Sequence, residues 1–238
     1  MVNRSDKRQD YTIRFRVSGK KPELWHADNG KMEEASYKIE GDKTLLSLRL
    51  EEHESVFVLF NNKTTVLSRN VPQHQYKELM RIDGPWKINF PEQSGAPAAI
   101  VLDILSWLTN HKDEGVKYFS GTATYSKSFE VKKELGKSKV FLDLGRVGDI
   151  AEVTLNGKKL DLLWKAPFRI EITNTLKKGK NHLEIKVTNE WTNRLAGDKD
   201  APAGKKVLPI YINPFGGQYQ ATDSGIMGPV KLLTIIDE

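Results

Sequence analysis

The chain contains no cysteine. Disulfide bridges, thiolate metal sites and a cysteine nucleophile are therefore excluded, while the compartment stays open, because a β-rich periplasmic protein need not carry disulfides. No apolar run approaches the roughly eighteen residues that a membrane-crossing helix needs. The first residues, MVNRSDKRQDYTIRF, are charged and then alternating, so no signal peptide is visible in this chain. No sustained 3.6-residue periodicity, internal repeat or low-complexity tract is present. The sequence also lacks a HExxH pair, a GxSxG elbow, a P-loop and a dinucleotide fingerprint. The histidines His26, His53, His74, His111 and His182 have no metal-ligand spacing, and His53-Glu54 lacks the second histidine of a zinc motif. Surface or strand-end positions are expected for them.

What is present is a globular balance: 38% hydrophobic and 29% charged residues over 238 positions, enough apolar material for a packed core. The net charge of +6 is spread through pairs such as Lys132–Lys133, Lys158–Lys159, Lys177–Lys178 and Lys205–Lys206. These pairs fall in turns between expected strands and read as a solvated surface. No aromatic-basic platform accompanies them, so no nucleic-acid partner is expected, and no membrane partner either. Attraction to an acidic polysaccharide is the functional reading this charge leaves.

Short apolar-polar alternation dominates. Tyr11, Ile13, Phe15 and Val17 alternate with Thr12, Arg14 and Arg16, as in a half-buried strand. Asp28-Asn29-Gly30 and Gly41-Asp42 are turn signals, and further strands are expected at 35–40, 45–50 and 55–60. This first block, residues 1–62, is thin for an independent core and reads as the end of a preceding β domain. Residues 63–82 are polar, contain Pro72 and read as a linker. Residues 83–238 carry strand patterns at 84–90, 98–104, 121–131, 139–144, 151–155, 168–172, 182–188, 207–212 and 229–236, with a short helix as an alternative at 103–107. Turn signals every eight to twelve residues make the second block an antiparallel β-sandwich. The fold class is all-β. Trp25, Trp86 and Trp107 are expected in the core, and Trp164 and Phe168 in the core or an interface.

Asn156-Gly157 suits a type I′ hairpin, and Asn174–Asn181 forms a second connection in which Gly179 can take positive φ. The stretch AEVTLNGKKL…LLWKAPFRIEITNTLKKGKNHLEIKVTN closely resembles the jelly-roll, galactose-binding-like sugar-binding domain of glycoside hydrolase family 2. Ser120–Phe129, Leu142–Lys158, Leu163–Thr173, Val187–Asp198, Ser224–Leu232, Arg14–Lys31 and Leu46–Phe60 resemble the C-terminal region of the α-L-rhamnosidases of glycoside hydrolase family 106. The resemblance implies a jelly-roll sandwich, a carbohydrate partner that is a plant or microbial polysaccharide containing rhamnose, and a role in polysaccharide degradation. It also implies a catalytic barrel as a partner domain or subunit, and a periplasmic or secreted location. The family's catalytic acid and base lie on that barrel, and this chain has no alternating strand-helix pattern to supply one. The chain alone is expected to be a non-catalytic carbohydrate-binding or accessory domain. A purely structural module that buttresses the barrel and a small autonomous glycoside hydrolase are the alternatives.

Sugar recognition needs an aromatic face for the pyranose ring and planar polar groups for its hydroxyls. Trp191, Asn193, Arg194 and Asp198 supply an aromatic, an amide, a guanidinium and a carboxylate within eight residues. Trp164 and Phe168, which flank Pro167, are further candidates, and Tyr219, Gln220 and Asp223 join them from the glycine-rich segment 215–228. Arg194 and Asp198 have a second reading, mutual pairing that orders their own loop. No Asp-rich calcium loop stands out, but domains of this type commonly carry a structural calcium. Asp83, Asp198, Asp200 and Asp223 are the contributors considered for it.

Overall fold

The computed structural model describes residues 1–72, 75–132, 138–199, 201–202, 204–208 and 220–236. The chain divides into two compact units, residues 1–75 and 76–235. Among the described residues no helix is long and apolar enough to cross a membrane.

The first unit contains β1 (Gln9–Phe15), β2 (Glu23–Trp25), β3 (Met32–Glu34), β4 (Ser36–Glu40), β5 (Lys43–Leu50), β6 (Phe57–Leu59) and β7 (Ser68–Arg69). They form one sheet in the order β1-β5-β4-β7 and another in the order β3-β2-β6. Alternation along β5 puts Thr44, Leu46, Leu48 and Leu50 inside. These leucines pack with Leu24, Ala35, Tyr37 and Val56. The Asp28-Asn29-Gly30 turn closes β2 onto β3: Gly30 N–H donates to the His26 carbonyl at 2.9 Å with Gly30 at φ +69°. That backbone region favours glycine.

The second unit contains β8 (Gln75–Arg81), β9 (Trp86–Asn89), β10 (Ala99–Leu102), α1 (Glu114–Lys117), β11 (Thr122–Val131), β12 (Val140–Asp143), β13 (Arg146–Gly148), β14 (Ile150–Leu155), β15 (Lys158–Leu163), β16 (Arg169–Glu171), β17 (Gly179–Thr188), α2 (Thr192–Lys199), β18 (Gly225–Gly228) and β19 (Lys231–Ile236). Among the described residues a six-stranded sheet runs β10-β9-β11-β17-β14-β15, and a four-stranded sheet runs β16-β12-β19-β8. The inward residues Tyr125, Val153 and Ile185 of the first sheet share one core with Val140, Leu142, Ile170 and Leu232 of the second. This is the β-sandwich that the alternating pattern implies. Period-two alternation sorts the faces: Asn181, Leu183, Ile185 and Val187 of β17 are buried while their neighbours face out.

The family-like motifs in this unit act as structural turns. Asn156 and Gly157 both have positive φ, and they join β14 to β15 with Leu155 opposite Lys158. Asn156 Nδ2–H donates to the Thr175 carbonyl at 2.9 Å and to Asn181 Oδ1 at 2.8 Å. Asn181 in turn donates to the Lys177 and Gly179 carbonyls and accepts from Lys177 N–H. A buried amide satisfied on all sides explains why this turn needs asparagine.

Three features differ from the sequence expectation. The stretch 63–82 contains β7 and β8, whose side chains are mainly exposed and so leave no apolar alternation to read. The segment 103–107 is not helical, and a single 3-10 turn follows at Leu108–Asn110. Residues 192–199 form the helix α2, although asparagine, glycine and aspartate are weak helix formers. Of the strand expected at 207–212, residues 209–212 lie outside the described residues.

Candidate functional site

The site is built where β17 ends. Asn189 follows the strand and clamps the neighbouring chain: Gly121 N–H donates to its Oδ1 at 2.8 Å, and its Nδ2–H donates to the Phe119 carbonyl at 2.8 Å. Ser120 Oγ–H donates to the Glu190 carbonyl at 2.8 Å and accepts from Arg194 N–H at 2.9 Å. The Trp191 carbonyl accepts from Leu195 N–H at 3.1 Å, which starts α2. Trp191 therefore stands on a backbone held at several points, and its side chain is left in solvent, the residue being 62% exposed.

The other residues of the expected cluster point elsewhere. Asn193 is fully buried. Its Nδ2–H donates to the Thr222 carbonyl at 3.0 Å, and its Oδ1 accepts from Thr222 N–H at 2.7 Å. Arg194 and Asp198 are buried and pair at 3.0 Å one turn apart on α2. Asp198 Oδ2 also accepts from Leu208 N–H at 2.8 Å. Gly197 allows the close approach this needs, since a Cβ there would lie 2.5 Å from the Tyr118 Cβ. Asn193, Arg194 and Asp198 thus face inward and order the segment that carries Trp191. Asp223 is exposed and lies 3.6 Å from Arg146, whose guanidinium sits 5.3 Å from the Trp107 ring centre. Tyr219 lies outside the described residues.

Sequence reasoning missed Asp149 and Glu190 beside Trp191. Asp149 Oδ2 accepts from Glu190 N–H at 3.1 Å. Loss of water on its packed side, and then the nearby Glu190 charge, raise the Asp149 carboxyl above its ordinary value. No spacing signal joins the two residues, because they are 41 positions apart in the chain. Trp164, expected in the core or an interface, is 55% exposed, whereas Phe168 is buried.

The calcium reading gains no ligand set. Among the described residues no group of three or more His, Asp or Glu side chains is arranged to hold a metal. Asp198 is engaged by Arg194, Asp223 faces Arg146, Asp83 lies 3.7 Å from Arg81, and Asp200 is outside the described residues.

The sandwich, its asparagine-built turns and the Trp191 end define a class. Residues 104–219 match the family model of the glycosyl hydrolase 2 galactose-binding domain-like family, and residues 1–39 match that of alpha-L-rhamnosidase. The second unit is therefore a galactose-binding-like β-sandwich of the glycoside hydrolases, and the chain as a whole is related to the α-L-rhamnosidases. Along 98% of its length it is similar to the solved structure of a rhamnosidase from Novosphingobium sp. PP1Y, at 39% identity and a TM-score of 0.82, covering 22% of that chain. It is also 38% identical over 200 residues to a provisionally named beta-glucuronidase of Formosa agariphila, covering 74% of this chain and 17% of that protein. The chain thus spans about a fifth of the length of these two relatives.

Proposed function

We propose that this chain is a non-catalytic carbohydrate-binding region of a glycoside hydrolase, and that it holds polysaccharide at the Trp191 end of the sandwich. The observation that carries the reading is Trp191 itself. A large aromatic left in solvent on a rigidly tied backbone is a preformed stacking face. Glu190 adjoins it in the chain and Asp149 is tied to the Glu190 N–H, so both carboxyl groups are acceptors for sugar hydroxyls beside that face. The rhamnosidase relationship supports a rhamnose-containing glycan, met in the periplasm or outside the cell. Asn193, Arg194 and Asp198 position Trp191 rather than touch the sugar.

The test is binding of the purified chain to a panel rich in rhamnose, galactose and pectic oligosaccharides. Binding that weakens at least tenfold in Trp191→Ala, with the fold retained, supports the reading. A blank panel from folded protein overturns it.

A second reading has its own observation. Met32, Trp25 and Phe57 are opposite one another across β3, β2 and β6, and Met32 and Phe57 are exposed. Such an apolar row suits packing against another domain, here a catalytic barrel. Concentration-dependent self-association of the chain, abolished by Phe57→Ser, favours this structural role.

A further inference from the structure

The two exposed tryptophans, Trp164 and Trp191, emerge at one end of the same sheet. β15 and β17 flank β14 on either side and both run antiparallel to it. Leu163, the last residue of β15, lies opposite Ala151, and Thr188, the last residue of β17, lies opposite Ile150. Trp164 follows Leu163 directly, and Trp191 follows Thr188 by three residues. Asp149 immediately precedes Ile150 on the strand between them, and its N–H donates to the Thr188 carbonyl at 3.4 Å. Ile150 is exposed as well, so the end of the sheet presents Trp164, Ile150 with Asp149, and Trp191 in order across three strands. Two strand spacings separate the strands that lead to the indoles by roughly 10 Å. That is wider than a single pyranose ring.

We infer that Trp164 forms a second stacking subsite beside that of Trp191, with Asp149 between them, so that this end of the sandwich binds an oligosaccharide rather than a single terminal sugar. The inference rests on the carbohydrate-binding reading above. Three observations support it independently of that reading's choice of residue. Trp164 follows β15, which among the described residues is the edge strand of the sheet, with no further strand beyond it. It is 55% exposed despite an indole's large apolar area. Alternation also points Leu162, opposite Glu152, away from the core and into solvent, which extends the apolar rim.

The experiment is a titration of the whole chain with L-rhamnose, D-galactose and a length series of rhamnose-containing pectic oligosaccharides, from disaccharide to hexasaccharide. The expected result is an affinity gain of about tenfold between the monosaccharides and the longer chains. Trp164→Ala removes the gain, Trp164→Phe restores most of it, and Trp191→Ala weakens every ligand. A length dependence untouched by Trp164→Ala, or no length dependence at all, overturns the second subsite and leaves the Trp191 reading standing. Absence of binding to every ligand overturns both. Acrylamide quenching of the unsubstituted protein gives a check that needs no variant. The hexasaccharide is expected to shield both exposed indoles and the monosaccharide one, while equal shielding by both ligands counts against the second subsite.

Discussion

His26 offers a charge whose contribution to folding can be worked through. It directly follows the β2 strand, with Nε2 3.4 Å from Glu33 of β3 and Nδ1 3.4 Å from Glu54 of the loop before β6. The bond to Glu33, and then that to Glu54, hold the imidazolium and raise its pKa from 6.5 to about 9. At full strength a rise of that size corresponds to about 3 kcal/mol favouring the charged form. The Glu33 side chain is 58% exposed, so solvent screens its share and reduces the expected contribution to about 1–2 kcal/mol. The sign follows from the raised pKa. The contribution is complete below the unfolded value near 6.5 and is lost as pH rises through about 9. His26→Gln keeps the size and polarity and removes the charge. It is expected to cost about 1–2 kcal/mol at pH 6 and close to nothing at pH 10, each measured against the unsubstituted protein. The assay is urea unfolding followed by tryptophan fluorescence, where Trp25, the sole tryptophan of residues 1–75, adjoins the substituted site. An equal deficit at both pH values refutes the electrostatic account and makes the loss one of packing.

Two further outcomes test the groups around Trp191. Asn193→Ala removes a buried amide and leaves the part-buried Thr222 N–H and carbonyl without that partner, at a cost of about 1–2 kcal/mol in urea unfolding. A loss below about half a kcal/mol shows that water replaces the amide. Asp149→Asn keeps an acceptor for Glu190 N–H and removes a carboxylate whose ionisation the fold disfavours. The folded protein holds that proton more tightly than the unfolded chain, so stability falls as pH rises through the carboxyl's range. The variant is expected to match the unsubstituted protein in acid and to exceed it at neutral pH, and thermal unfolding at both pH values checks the crossover.

The two kinds of information divided along physical lines. Strands buried on one face and bare on the other repeat every two residues, so β5, β11, β14 and β17 were legible from alternation alone. Asn156-Gly157 and Asp28-Asn29-Gly30 were legible because positive φ restricts the residues that a tight turn accepts. Strands without an apolar face, such as β7 and β8, carried no such signal. Neither did α2, which is held by the Arg194–Asp198 pair and the Asn193–Thr222 bonds rather than by helix propensity.

The sequence placed an aromatic, an amide, a guanidinium and a carboxylate in one short segment but could not say which faced solvent. Burial is a property of the neighbours, and those neighbours are distant in the chain: Ser120, Thr222 and Leu208 turn Asn193, Arg194 and Asp198 inward and leave Trp191 outside. The sequence by itself determined the alternation, the turns and the family likeness, all of which are local patterns. Only the tertiary structure decided that Trp164, Asp149 and Trp191 meet at one end of a sheet, because strand order and register join positions that no local pattern connects.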